Sequence, residues 1–117
     1  MKPEPVKPTV PFDVLEKVDI RVGTIESVED VPQSGKLMRL HVDFGDMKRT
    51  ILAGIKRERG NPGEIAGKQA LFVVNLEPRR MAGEVSEGML FDIGYPDGIV
   101  PVLAVPETPV PNGARMG

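Results

Sequence analysis

The segment Asn75-Leu76-Glu77-Pro78-Arg79-Arg80-Met81-Ala82-Gly83-Glu84-Val85-Ser86-Glu87-Gly88-Met89-Leu90 gathers the side chains of this sequence best suited to hold a ligand. Two guanidinium groups stand side by side at Arg79 and Arg80. Their planar forks match phosphate oxygens in pairs and stack on exposed bases. Pro78 fixes its own φ and drives Glu77 out of the helical region, so the arginines are expected on a stiffened turn that loses little entropy on binding. The competing use of the same charges is an ion pair with Glu77 or Glu84. Ser86 and Gly88 lie on the face opposite Val85 and Met89. A hydroxyl beside a glycine leaves room for close approach by a ligand, or equally by backbone at a bulge or barrel corner. Met38, Met81 and Met89 serve as core filler or, grouped near one rim, as an adaptable apolar pocket.

Ten of the fifteen Lys and Arg, from Lys36 to Arg80, fall in the middle of the chain, against five acids in the same window, although the formal net charge is −2. A positive central third in an acidic chain suits a polyanion held on one face. Lys48, Arg49 and Glu58 are read instead as solvating groups. With four Phe, one Tyr and no Trp, the chain is poorly furnished to hold single strands by stacking. The composition leans toward structured RNA, which is recognised through shape, backbone and ribose hydroxyls.

Catalysis finds little support. His41 is the single histidine, Ser27, Ser34 and Ser86 are the only serines, and cysteine is absent. No nucleophile–base pair, histidine metal cluster, thiolate or disulfide can be assembled from that inventory. The expectation is a chain that is not an enzyme and uses no metal or cofactor. No apolar run reaches the roughly 18 residues of a membrane span, and the N-terminus MKPEPVKPTV lacks the apolar centre of a secretory signal, so a cytoplasmic location is expected.

At 117 residues, with 40% hydrophobic and 27% charged side chains, the chain supports one core. Residues 1–11 carry Pro3, Pro5, Pro8 and Pro11 and read as a flexible tail. Residues 12–117 form the domain. Asp13 and Glu16 fit a capping box over a helical turn from Val14 to Lys17, anchored by Phe12 and Leu15. Ile20 and Val22 alternate with polar residues until Ile25 breaks the phase, which places a bulge or sharp bend at Gly23. Met38, Leu40, Val42 and Phe44 alternate with Arg39, His41 and Asp43, and Gly45-Asp46 turns the chain into a strand from Arg49 to Ile55. Asn61-Pro62-Gly63-Glu64 starts a short helix stopped by Gly67. Lys68 to Val74 reads as a strand buried on both faces. Glu84 to Ile93 is expected to alternate with Val85, Met89, Phe91 and Ile93 on one side, and Ile99 to Val105, broken by Pro101, to lie on an edge or a dimer seam.

This order predicts an all-β fold, a five-stranded oligonucleotide/oligosaccharide-binding (OB) barrel with a short helix between strands 3 and 4 and extra strands at the C-terminus. Such barrels bind on the face of strands 2 and 3 and with the loops after strands 1 and 4. Those loops are here Val31 to Lys36 and Leu76 to Gly83, which should meet on one rim.

The runs VDIRVGTIESVE, KLMRLHVDFGDMKRTILAGI, PGEIAGK and NLEPRRMAGEVSEGML resemble the tRNA-binding domain that occurs as small dimeric proteins and as a C-terminal appendage of methionyl-tRNA synthetases. The resemblance covers about residues 12 to 117. It implies an OB barrel, a homodimer, tRNA as ligand and an aminoacyl-tRNA synthetase as partner. It also implies RNA contact by Asn75, Arg79, Arg80, Ser86 and Met89, with Lys36 from the facing loop. Where relatives carry a His-Pro-x-Ala-Asp-Lys-Leu-like loop, this chain keeps only Pro32, Lys36 and Leu37, and Ala82 stands where they often have a basic residue. A sister branch, the CsaA-like export chaperones, is similar at Pro78 to Gly83 and at Pro111 to Gly117. It implies the alternative of a dimer that binds peptides of exported proteins.

Overall fold

The computed structural model describes residues 2–117. Five strands form one antiparallel sheet in the order β3-β2-β1-β4-β7. They are β1 (Ile20–Asp30), β2 (Met38–Asp43), β3 (Lys48–Ala53), β4 (Gln69–Val73) and β7 (Met89–Leu90). Between β4 and β7 the chain makes a separate hairpin, β5 (Arg79–Met81) and β6 (Glu84–Ser86), and after β7 a short pair, β8 (Asp92–Ile93) and β9 (Val102–Leu103). This is the expected all-β, OB-like barrel.

Strand β1 serves both halves of the sheet. Ile20–Thr24 pairs with β4 and Thr24–Asp30 with β2. The register slips between Ile25 and Ser27, so the bulged residue is Glu26 rather than Gly23. Gly23 is needed for a different reason. A Cβ there would stand 2.6 Å from Val42 Cγ1 and 2.7 Å from the Phe44 ring, so only glycine lets the curled sheet close over its own core. Phe44 meets Phe72 edge to face, with ring centroids 5.4 Å apart. Both are fully buried with Ile25, Leu40, Val42, Ile51 and Ile65.

The barrel closes by an unusual seam between β3 and the turn from β6 to β7. The Glu87 N–H donates to the Thr50 carbonyl at 2.9 Å. In return Thr50 N–H donates to the Glu87 carboxylate at 2.9 Å, and Leu52 N–H to the Ser86 hydroxyl at 3.0 Å. Two edge N–H groups that would be costly to leave bare are thus met by side chains. Gly88 follows where a Cβ would lie 2.7 Å from the Val73 carbonyl. The Arg49 guanidinium, read from sequence as a solvating group, donates to the carbonyls of Val74 and Glu87 across the same seam.

Four further expectations are corrected. The helix α1 (Phe12–Glu16) is capped by Pro11 with no side-chain hydrogen bond, so the capping box does not form, and Phe12 and Leu15 are exposed rather than anchored. Pro11 supplies the extended backbone that ends the tail, and a five-residue helix has too little surface to bury an apolar stripe. Glu84 to Ile93 is not one alternating strand but three short pieces. Val85, Met89 and Ile93 are exposed while Ser86 is buried, because β3 needs the serine oxygen inside. The strand from Ile99 to Val105 shrinks to β9, and the final segment 113–116 instead pairs with β1 through Val22 N–H to Ala114 O and Met116 N–H to Ile20 O. The expected helix at Asn61 is a single 3-10 turn over Pro62–Ile65.

Candidate nucleic-acid interface

The hairpin that carries Arg79 and Arg80 turns through Ala82 (φ 50°) and Gly83 (φ 81°). Two successive left-handed residues give the turn whose twist matches that of paired strands. Arg79 therefore sits in β5, opposite Ser86, and Arg80 opposite Val85. Adjacent strand residues face opposite ways. The arginines consequently flank the hairpin, Arg79 toward the barrel and Arg80 toward solvent beside Val85, instead of forming one double clamp on a turn.

Neither arginine makes an ion pair among the described residues. Of the two competing partners, Glu77 makes no ion pair among the described residues, and Glu84 is taken by Arg39, on the outer face of β2. Its guanidinium takes Glu84 in a two-bond fork at 2.6 and 2.5 Å and reaches Glu29 at 3.1 Å. Arg39 holds the Glu84 carboxyl below the usual carboxylate range, and His41, followed by Arg39, does the same for Glu29. His41 is spent on that contact at 2.7 Å on the wet face of β2. The fork pins the hairpin across β2 while leaving its own arginines free.

The facing loop is held as firmly. Lys56 Nζ donates to the carbonyls of Val31 at 3.0 Å and Ser34 at 2.6 Å and pairs with Asp30 at 2.5 Å. Ser34 Oγ accepts from Lys36 N–H and Leu37 N–H. The loop and the hairpin meet in a small apolar cluster of Val31, Leu37, Leu52 and Met81, which is the single rim expected from the two loop positions.

Beside the hairpin lies a cleft of about 460 Å³. Leu52, Ser86 and Gly88 form its floor, Leu76, Met81 and Met89 its walls, and Glu77 and Arg79 its mouth. Met81 and Met89 also border an adjoining cleft of about 660 Å³ that includes Lys36, Glu58 and Asp92. The site residues read from sequence thus separate into groups. Arg79, Ser86 and Met89 share the first cleft, Lys36 lines the second, and Arg80 is on the outer face of the hairpin. Asn75 lies apart from both. Its Oδ1 accepts from Asp19 N–H at 2.8 Å and its Nδ2 donates to the Lys17 carbonyl at 2.7 Å. Ser86 is likewise engaged, donating to the Gly88 carbonyl while it accepts from Leu52. The Arg39–Glu84 pairing and the bracing role of Lys56 escaped the sequence reading. The alternation of β2 marks Arg39 as outward-facing, but its partner Glu84 is 45 residues away.

The Arg39–Glu84 fork predicts a pH effect. A carboxyl whose folded pKa is depressed adds stability that is present above its unfolded pKa and lost as pH falls through the folded value. Glu84→Gln is expected to be less stable than the parent near pH 7. The gap should narrow once pH drops below the ordinary glutamate value of 4.5. Urea unfolding of both proteins between pH 7 and pH 3 checks this, and parallel curves would contradict it. Glu58 and Asp92, raised chiefly by burial, act with the opposite sign in both proteins and cancel from the comparison.

The family described as "Putative tRNA binding domain" matches residues 20–115. The methionine–tRNA ligase of Parabacteroides distasonis is 40% identical over 115 residues, covering 98% of this chain and 17% of the ligase. That of Chlorobium chlorochromatii is 44% identical over 92 residues, covering 79% and 13%. The chain therefore spans less than a fifth of these ligases. Among solved structures, a MetRS-related protein from Pyrococcus horikoshii superposes with a TM-score of 0.86 at 36% identity, over 95% of this chain and 100% of the other. The chaperone CsaA from Bacillus anthracis superposes with a TM-score of 0.81 at 32% identity, over 94% and 100%. By sequence and by fold, the chain belongs to the "Putative tRNA binding domain" family, which it shares in sequence with a part of methionine–tRNA ligases.

Proposed function

We propose that this chain is a non-catalytic module that holds structured tRNA against the rim formed by the loop 31–36 and the β5–β6 hairpin, in the cytoplasm and as a homodimer. The observation that carries the reading is the pair of exposed, unpaired arginines on a hairpin already pinned by a separate ion pair. Cations with no internal partner, on a support that need not be ordered, favour a polyanion at low entropic cost. Arg79, Arg80 and Lys36 supply the phosphate contacts and Met89 an apolar one. Asn75 and Ser86 act by bracing the rim. The module serves an aminoacyl-tRNA synthetase, as part of its chain or as a separate subunit. Exposed Ile93, Tyr95, Val100, Val102 and Val105 around β8 and β9 make an apolar area of the kind that marks a protein interface, and support the dimer. Light scattering at the single-chain mass of 12.7 kDa would refute that part.

The export-chaperone alternative draws on the likeness to CsaA and on the apolar walls of the cleft. The free Arg79 that lines it favours RNA over an apolar peptide. The test is a competition in which bulk deacylated tRNA and an unstructured homopolymer RNA of the same length displace a labelled tRNA. Recognition by shape predicts that tRNA competes at least about tenfold better. Equal competition would leave only a generic polyanion binder, and displacement by an exported-protein peptide alone would favour the chaperone.

A further inference from the structure

The cleft between the hairpin and β7 has a composition that phosphate binding does not use. Its volume of about 460 Å³ falls within the roughly 300–1,000 Å³ of small-ligand sites. Four apolar side chains, Leu52, Leu76, Met81 and Met89, line it, with one carboxylate, Glu77, and one guanidinium, Arg79, at the opening. Gly88 adds no side chain to its floor, and that position stays glycine because a Cβ would meet the Val73 carbonyl. Glu77, like Arg79, makes no ion pair among the described residues.

From this we infer that the cleft takes one unstacked nucleobase of the bound RNA, a base carrying an exocyclic amine. The inference rests on the tRNA-binding reading and deepens it. A base is a flat apolar plate with polar edges. Thioethers pack well against aromatic rings, and the two methionines that line the cleft, Met81 from β5 and Met89 from β7, offer the plate adaptable apolar contacts. The Glu77 carboxylate accepts from an exocyclic amine at the edge, while Arg79 takes the phosphate that follows. Sequence-specific RNA recognition commonly works on such splayed bases in loops and ends. Methionine walls replace here the aromatic platforms that the composition lacks.

The test is a titration of the full chain, with its methionine methyl groups labelled with carbon-13, using bulk deacylated tRNA. The Met81 and Met89 methyl resonances are expected to move, while those of Met47 and Met116 stay. In parallel, the Leu76→Ala/Met89→Ala variant, altered only at half-exposed walls, is expected to bind tRNA about tenfold more weakly at every salt concentration, with the salt slope unchanged, because a base contact releases no counterions. A thermal midpoint equal to the parent's shows that this variant folds. If tRNA binds with the two methyl groups unmoved and the variant's affinity intact, the base cleft is refuted while the phosphate rim stands. If no tRNA binds, the functional reading itself fails. If an exported-protein peptide moves the two methyl groups and tRNA does not, the cleft belongs to a protein ligand.

Discussion

The Arg79→Glu/Arg80→Glu double variant is expected to bind tRNA at least about a hundredfold more weakly than the parent at low salt, and to show a shallower salt dependence. Each phosphate contact displaces condensed counterions and adds close to one unit to the slope of log affinity against log salt. Reversing two charges removes two such contacts per chain and puts repulsion in their place. The fold should be untouched. Both side chains are exposed and make no ion pair among the described residues, while the hairpin is held by Arg39 and Glu84, by the Ser86 hydroxyl and by the packing of Met81. An unchanged thermal midpoint with the binding gone is therefore the expected pair of results. Full binding by the variant would remove the arginines from the site. Because Arg79 and Arg80 face opposite sides of the hairpin, each single variant should retain part of the affinity.

Phe44→Ala carries the largest stability effect expected of the fold. Phe44 is 1% exposed, meets Phe72 edge to face, and covers the point where β1 has no side chain at Gly23. Truncation leaves a cavity walled by curled strands that are tied on both sides, so collapse is limited. A loss of about 3–5 kcal/mol is expected, a large share of the roughly 5–15 kcal/mol of an ordinary domain. Urea unfolding measures it, and a loss below about 1 kcal/mol would contradict the assignment of this ring to the centre of the barrel. Residual tRNA binding by the folded fraction should survive, since Phe44 touches no part of the rim clefts.

The elements legible in the sequence are those marked by a local pattern of side chains. The alternation from Met38 to Phe44 and the Gly45-Asp46 turn gave β2 and β3 directly, since the two pair in register from Met38↔Ala53 to Asp43↔Lys48. The unbroken apolar run of Lys68 to Val74 marks β4 equally well, but the expectation of burial on both faces holds only in part: Ala70 and Phe72 on one face are fully buried, while on the other Val73 is buried and Leu71 half-buried. Legibility failed where a distant partner decides. Glu84 to Ile93 has a regular alternation, but the edge of β3 draws Ser86 and Glu87 inward, across 34 and 37 residues of sequence, and leaves the apolar residues outside. The same holds at the rim. Arg79 and Arg80 could be singled out by type and by the neighbouring proline. That Glu84 would be claimed by Arg39, and so leave them free, could not be read from their spacing. The bend assigned to Gly23 was a true constraint with a different cause, close approach of Val42 and Phe44 instead of a bulge.

If this mildly acidic chain holds tRNA through a local group of unpaired cations, salt must compete with it. The most direct measurement is the affinity of the unmodified chain for bulk deacylated tRNA between 50 and 200 mM salt, a range in which phosphate contacts dominate the change. Binding at low salt that weakens steeply and linearly on a double-logarithmic scale is the expected result. Absence of binding at low salt, or an affinity indifferent to salt, would contradict it.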